Sequence, residues 1–116
     1  MSHSFLQHSD NTQILEIKSL LNEYDNKAIM RAVEERIDNG NNKFVLDLAQ
    51  MDFMNSVGLN FLISFTKKLK NSGGRLALAN VSQQIIKLLE ITKLKTFFLL
   101  EPSVNDALNR LDHHEN

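Results

Sequence analysis

Met51-Asp52-Phe53-Met54-Asn55-Ser56-Val57-Gly58-Leu59 is a short polar junction between two apolar runs of different period, and its reading decides the fold. Upstream, Lys43-Phe44-Val45-Leu46-Asp47-Leu48-Ala49 is apolar and partly β-branched, the pattern of a buried strand. Downstream, Leu59 to Leu69 carries its apolar residues at helical spacing. Ser56 therefore stands where a strand hands over to a helix. In a parallel α/β sheet such junctions lie at the carboxyl ends of strands, where ligands and partners are met. A helix start adds unpaired N–H groups and the positive end of a dipole. A phosphate on Ser56 would sit well there. Asn55 and Ser56 are also both residues that cap helices, and capping is the plainer reading of Ser56 taken alone.

Toward the N-terminus, Phe5 to Ser9 reads as a short edge strand ending at the turn signal Asp10-Asn11. Gln13 to Leu20 alternates, with Leu15, Ile17 and Leu20 as candidates for burial, and forms a hairpin with the first segment. Asp25 can cap a helix whose apolar positions Ile29, Val33 and Ile37 fall four apart, with Met30 beside them, and Gly40 stops it after Asn39. Toward the C-terminus, the helix from Ser56 runs to Asn71 before Ser72-Gly73-Gly74 turns the chain. Phe61, Leu62, Ile63, Phe65 and Leu69 cover more than one stripe of that helix, which calls for cover on two sides or an apolar docking patch. Arg75 to Ala79 is a strand, and Ser82 starts a helix with Ile85, Ile86, Leu88, Leu89 and Ile91 as its apolar set. Phe97 to Leu100 is the last strand, broken by Pro102. Ser103-Val104-Asn105-Asp106 then resembles a capping box for a closing helix through Ala107, Leu108 and Leu111, and Asp112 to Asn116 is expected to fray. The order β-β-α-β-α-β-α-β-α predicts an α/β fold, a mainly parallel sheet flanked by helices with right-handed crossovers.

At 116 residues and 42% hydrophobic content the chain is expected to form one domain with one core, spanning residues 1–116. Its 13 Lys and Arg nearly balance 14 Asp and Glu, so no global field favours nucleic acid or an anionic membrane. The chain has no cysteine, which excludes disulfides, thiolate metal sites and a cysteine nucleophile. Met1 to Phe5 lacks the pattern of a secretory leader, and no run reaches the roughly 18 apolar residues of a membrane span, so a cytoplasmic protein is expected.

Enzyme readings find little support. Gly40, Gly58, Gly73 and Gly74 fit neither the phosphate-cradling loop nor the dinucleotide fingerprint, and Gly73-Gly74 reads as a turn. His3 and His8 near one end and His113-His114 near the other read as solvated polar residues, so no metal site or cofactor is assigned. Asp47 and Asp52 have no His or Lys placed to complete a proton-transfer pair. Lys67, Lys68 and Lys70 complement the dipole at a helix end.

The chain resembles the STAS domain family, and within it the bacterial anti-sigma factor antagonists. The resemblance spans nearly the whole chain. It rests on Val45-Leu46-Asp47-Leu48, on Phe53 to Leu59, on Gly73-Gly74-Arg75-Leu76-Ala77-Leu78-Ala79-Asn80-Val81-Ser82, and on Leu88-Leu89-Glu90-Ile91-Thr92. In that family the junction usually reads Asp-Ser-Ser/Thr-Gly-Leu, and its first serine is phosphorylated by a partner that is both anti-sigma factor and kinase. By position that serine is Ser56.

The resemblance implies a non-enzymatic partner switch. Unphosphorylated, such a protein binds the anti-sigma factor and frees the sigma factor; phosphorylated, it lets go, and a metal-dependent serine phosphatase resets it. Asn22, Met54, Asn55, Val57, Gly58 and Leu59 become the partner-binding set, with Met54 and Val57 expected at least partly exposed around Ser56. This chain departs from the family pattern at Asn55 and Asn22, which replace acidic residues, at Val57, which replaces a hydroxyl, at Asn60, which replaces a glycine, and at Lys93, where a helix-ending glycine is common. The loss of the family's polar pattern at Asn22, Asn55 and Val57 motivates a second reading, a constitutive STAS scaffold in a signalling or membrane-transport assembly. Small-ligand or nucleotide binding has only fold-level analogy behind it.

Overall fold

The computed structural model describes residues 3–112. Its elements are β1 (His3–Ser9), β2 (Thr12–Ile17), α1 (Glu23–Asp38), β3 (Lys43–Asp47), α2 (Ser56–Asn71), β4 (Arg75–Ala79), α3 (Gln83–Ile91), a 3-10 turn over Lys95–Phe97, β5 (Leu99–Glu101) and α4 (Val104–Asp112). The strands form one sheet in the order β1-β2-β3-β4-β5. β1 runs antiparallel to β2, and the three remaining pairings are parallel.

Successive parallel strands that step in one direction with crossovers of one hand must place every crossover helix on the same face. The side chains follow. Phe44 and Leu46 of β3 and Leu76 and Leu78 of β4 point into one core with Ile29 and Val33 of α1, Leu62, Phe65 and Leu69 of α2, and Ile85 and Leu89 of α3. The alternate residues Val45, Ala77 and Ala79 face the other side, where α4 lays Ala107, Leu108 and Leu111 over them. Two alanines on that face let α4 come close to the strands. This explains why β3 and β4 read as continuously apolar rather than alternating: both faces are covered.

α2 is buried at Gly58, Leu59, Phe61, Leu62, Phe65, Thr66 and Leu69, with the sheet beneath it and α1 alongside. Its excess of apolar residues is thus accounted for by cover on two sides. Phe65 meets Phe44 edge-on at 5.2 Å and Phe61 at 5.8 Å. Of the lysines at its end, Lys68 pairs with Glu34 of α1 at 2.7 Å, and Lys70 lies 5.3 Å from the Phe97 ring.

Several boundaries differ from expectation. The cap of α1 is Asn22 rather than Asp25, because the Asn22 Oδ1 accepts the Asp25 amide at 3.1 Å. β2 ends at Ile17 and β3 at Asp47, both earlier than expected, as each chain turns off the sheet toward its helix. Phe97 belongs to the 3-10 turn and not to the last strand, which is Leu99–Glu101. Ile91, placed by its spacing on the buried face of α3, is 77% exposed. His3 and His8 lie within ordered β1, where burial pushes the His3 imidazole below its usual range and Arg36 adds to the shift. Asp112, expected to fray, closes α4 and pairs with Lys43 at 3.5 Å. His113-His114 and the rest of the tail lie outside the described residues.

Three helices end alike. In α1, α2 and α3 the residue three beyond the helix donates to the carbonyl of the third-last helical residue: Asn41 to Arg36, Gly74 to Leu69 and Leu94 to Leu89, at 3.0, 2.7 and 2.8 Å. The residue between must adopt left-handed backbone. Gly40 (φ 102°) and Gly73 (φ 76°) do so readily, whereas Lys93 does so at φ 62° with a Cβ in the way. Lys93→Gly is therefore expected to stabilise the chain by up to about 1 kcal/mol, the relief of strain exceeding the entropy added to the unfolded chain. Denaturant unfolding checks this; a lower midpoint for the glycine variant would contradict it.

Candidate functional site

Three loops meet at the carboxyl ends of the parallel strands: residues 18–22 after β2, 48–55 after β3 and 80–82 after β4. The middle loop is held from both sides. The Asp47 carboxylate accepts the Ala49 amide at 3.1 Å and the Asn80 side-chain amide at 3.0 Å. Asn80 stands in left-handed backbone to make that reach, at φ 59°. The Ser82 hydroxyl donates to the Asp52 carbonyl at 2.7 Å while its oxygen accepts the Ile85 amide at 3.2 Å, capping α3. Asp47 is thus a tether between the loops after β3 and β4.

The start of α2 separates two roles that residue type alone could not. Asn55 is the cap: its backbone is extended (φ −107°, ψ −171°) and its Oδ1 accepts the Gly58 amide at 3.1 Å. Ser56 is the first helical residue, exposed, and its hydroxyl enters no hydrogen bond among the described residues. No acidic residue stands in the first turn of α2, so the positive end of the helix dipole beside Ser56 is not offset from within the helix. Asn55→Ala should cost about 1 kcal/mol of stability by removing the cap. Unfolding midpoints check that figure, with a loss below a few tenths speaking against the cap.

Asn22 does the same work for α1, and the two helix starts abut. A Cβ on Gly58 would lie 3.1 Å from the Leu20 Cβ, 3.2 Å from the Leu20 carbonyl oxygen and 3.2 Å from the Met54 Cβ. That carbonyl is in turn held by the Asn26 side-chain amide at 2.9 Å. The glycine therefore lets the loop carrying Asn22 pack across the first turn of α2. Asn and Asp cap equally well, so asparagine at both positions keeps this geometry while leaving out two negative charges.

The expected partner-binding residues fall into two groups. Asn22, Asn55 and Ser56 are exposed and Val57 is half-buried, as expected for Val57. Met54, expected at least partly exposed, is 7% exposed and belongs to the core; it lies beneath Gly58, where the β3–α2 loop turns inward. Gly58 and Leu59 are buried with it, so these three support the surface from below.

Missing from the expected set are Leu21, Tyr24 and Phe53, large apolar side chains on the loop after β2, the first turn of α1 and the loop after β3. Tyr24 is 78% and Phe53 56% exposed. Their sequence signal was available: apolar residues inside stretches otherwise made of turn and cap residues. A groove of about 210 Å³ runs from this end between α1 and α2, past Asn26, Lys27, Met30, Val57, Phe61 and Ser64. Among the described residues no three His, Asp or Glu side chains are grouped to hold a metal, and no helix is long and apolar enough to cross a membrane.

The model of the STAS domain family matches residues 5–107. The anti-sigma-B factor antagonist of Bacillus subtilis strain 168 is 40% identical over 48 residues, 41% of this chain and 44% of that protein. Among solved structures, the anti-sigma factor antagonist SpoIIAA in its unphosphorylated form superposes with a TM-score of 0.80 at 16% identity, covering 98% of this chain and 99% of the other. An anti-sigma factor antagonist from Mycobacterium paratuberculosis superposes with a TM-score of 0.77 at 22% identity, covering 96% and 95%. The expected fold class is the one found.

Proposed function

This chain belongs to the STAS domain family, and on that premise we propose that it is an anti-sigma factor antagonist switched at Ser56. Unmodified, it binds an anti-sigma factor through the end of the sheet that carries Ser56, where Leu21, Tyr24 and Phe53 are exposed and Val57 is half-buried. Phosphate on Ser56 releases that partner, which is also the kinase, and a metal-dependent serine phosphatase restores the hydroxyl.

The observation that carries this reading is the division of labour at the start of α2: the cap is Asn55, so the Ser56 hydroxyl is exposed and unengaged. A hydroxyl needed for capping could not be modified without loosening the helix. A phosphate at the first helical position adds about −1.5 to −2 charges at neutral pH, beside unpaired N–H groups that favour an anion. The chain itself accommodates the modification, and the cost falls on a partner that had packed against a neutral surface. The relatives named anti-sigma factor antagonists support the general role.

The test is the phosphate occupancy of Ser56 in protein isolated from its own cells, by intact mass and peptide mapping across growth and stress conditions. Occupancy that varies with condition and is confined to Ser56 is the expected result. A residue that is never modified would overturn the switch and favour the constitutive scaffold.

A further inference from the structure

β1 is an open sheet edge without the usual protection. Its outer side is paired with no strand among the described residues, and it is seven residues long. An exposed row of backbone N–H and C=O groups is a template for another strand, and proteins commonly blunt it with short length, Lys, Pro or inward-pointing charge. The opposite edge follows that rule: β5 has three residues and runs straight into Pro102. β1, His3-Ser4-Phe5-Leu6-Gln7-His8-Ser9, has no Lys, Arg, Asp, Glu or Pro, and its one irregularity, between Gln7 and Ser9, leaves His3 to Gln7 regular.

The two faces of β1 differ. Phe5 turns to the helical side, where the Arg36 guanidinium stacks 3.6 Å from its ring centre. Leu6 pairs with Ile14 of β2 on the other face, beyond the reach of α4, and is 63% exposed.

We propose that β1 pairs with β1 of a second copy of this chain, antiparallel about a two-fold axis normal to the sheet, with Leu6 opposite Leu6 of the second copy. Residues opposed across such a pair share a face, so the axis sets the two exposed leucines side chain to side chain. Phe5 then opposes Gln7, and no Lys, Arg, Asp or Glu meets a like charge across the pair, because β1 carries none of them. A second copy is the natural occupant: the edge bears no Lys, Arg, Asp or Glu to repel its own copy, and its one exposed large apolar side chain, Leu6, meets its counterpart. The result is one continuous ten-stranded sheet, twice the five of one copy. Two strands of this length bury less than the roughly 1,600 Å² of a standard interface. The expected dissociation constant is therefore weak, on the order of 10 μM to 1 mM. Ser56 lies at the carboxyl ends of the parallel strands and not on this edge, so each dimer would offer two switch sites and gain avidity toward any partner with two matching sites.

Sedimentation of the full chain across that concentration range, roughly 10 μM to 1 mM, tests the proposal. The chain is expected to shift from monomer to dimer, and Leu6→Lys, at an exposed position and so harmless to the fold, to remain monomeric. Because the chain has no cysteine, single introduced thiols report register directly: Leu6→Cys should cross-link readily under mild oxidation and Ser4→Cys should not. A wild-type chain monomeric throughout, a dimer indifferent to Leu6→Lys, or equal cross-linking by the two cysteine variants would each overturn it.

Discussion

Replacing Ser56 by Asp is expected to weaken binding to the anti-sigma factor about a hundredfold, close to 3 kcal/mol, while leaving the fold as stable as before or slightly more so. The two effects have opposite signs because the charge meets different surroundings. Within the chain it lies in the first turn of α2, which has no acidic residue of its own, and a carboxylate there gains about 0.3–1 kcal/mol from the helix dipole. At the proposed interface the same charge would lose water against a partner adapted to a hydroxyl. Ser56→Ala should bind like the unmodified chain, since the hydroxyl makes no contact the fold needs. Ser56→Asn has the size of Asp without its charge and should fall near Ala. Calorimetric titration of the three variants against the purified partner, with thermal midpoints measured beside it, separates the possibilities. Equal binding by Asp and Ala would sink the switch, and equal loss in Asp and Asn would make it a matter of bulk.

Gly74→Ala should cost about 3 kcal/mol, the upper range for forcing an atom into a packed interior. The reason is contact, not backbone conformation: a Cβ at Gly74 would stand 2.3 Å from the Asn42 carbonyl oxygen and 3.0 Å from the Leu69 side chain. That oxygen cannot retreat cheaply, because it accepts the Arg75 amide at 2.8 Å where β4 begins its pairing with β3. Gly73→Ala is the internal control. Its neighbourhood is open but its φ is 76°, so it should cost only about 1 kcal/mol. For a domain of about this size the difference corresponds to roughly 5–15 °C in thermal midpoint. Equal losses at both positions would show that the Asn42 carbonyl yields and that the close approach is not a constraint.

The elements and their order were legible in the sequence because each rests on a local period. Lys43 to Ala49 read as a buried strand, Arg75 to Ala79 as a short strand, and α2 as a helix needing cover on two sides or a docking patch; the structure covers α2 with α1 and the sheet, and lays α4 over the far face of β3 and β4. Lys93 in a glycine's place was visible as well, and its backbone is left-handed as the position demands. The cap of α2 was not legible, since Asn55 and Ser56 are both capping types and only the backbone shows which is outside the helix.

What the sequence determined by itself, then, was the α/β topology and the placing of Ser56 at a strand-to-helix junction, both consequences of periodicity and of turn residues close in the chain. The tertiary structure alone decided which side chains at that junction meet solvent. Met54 went under and Leu21, Tyr24 and Phe53 stayed out, because the loop after β2 crosses the start of α2 at Gly58 with Leu20 in contact. Loops carry no period from which an inward face could be read. Their burial depends on which neighbour comes to lie against them, and here that neighbour is separated from Gly58 by an entire helix and strand.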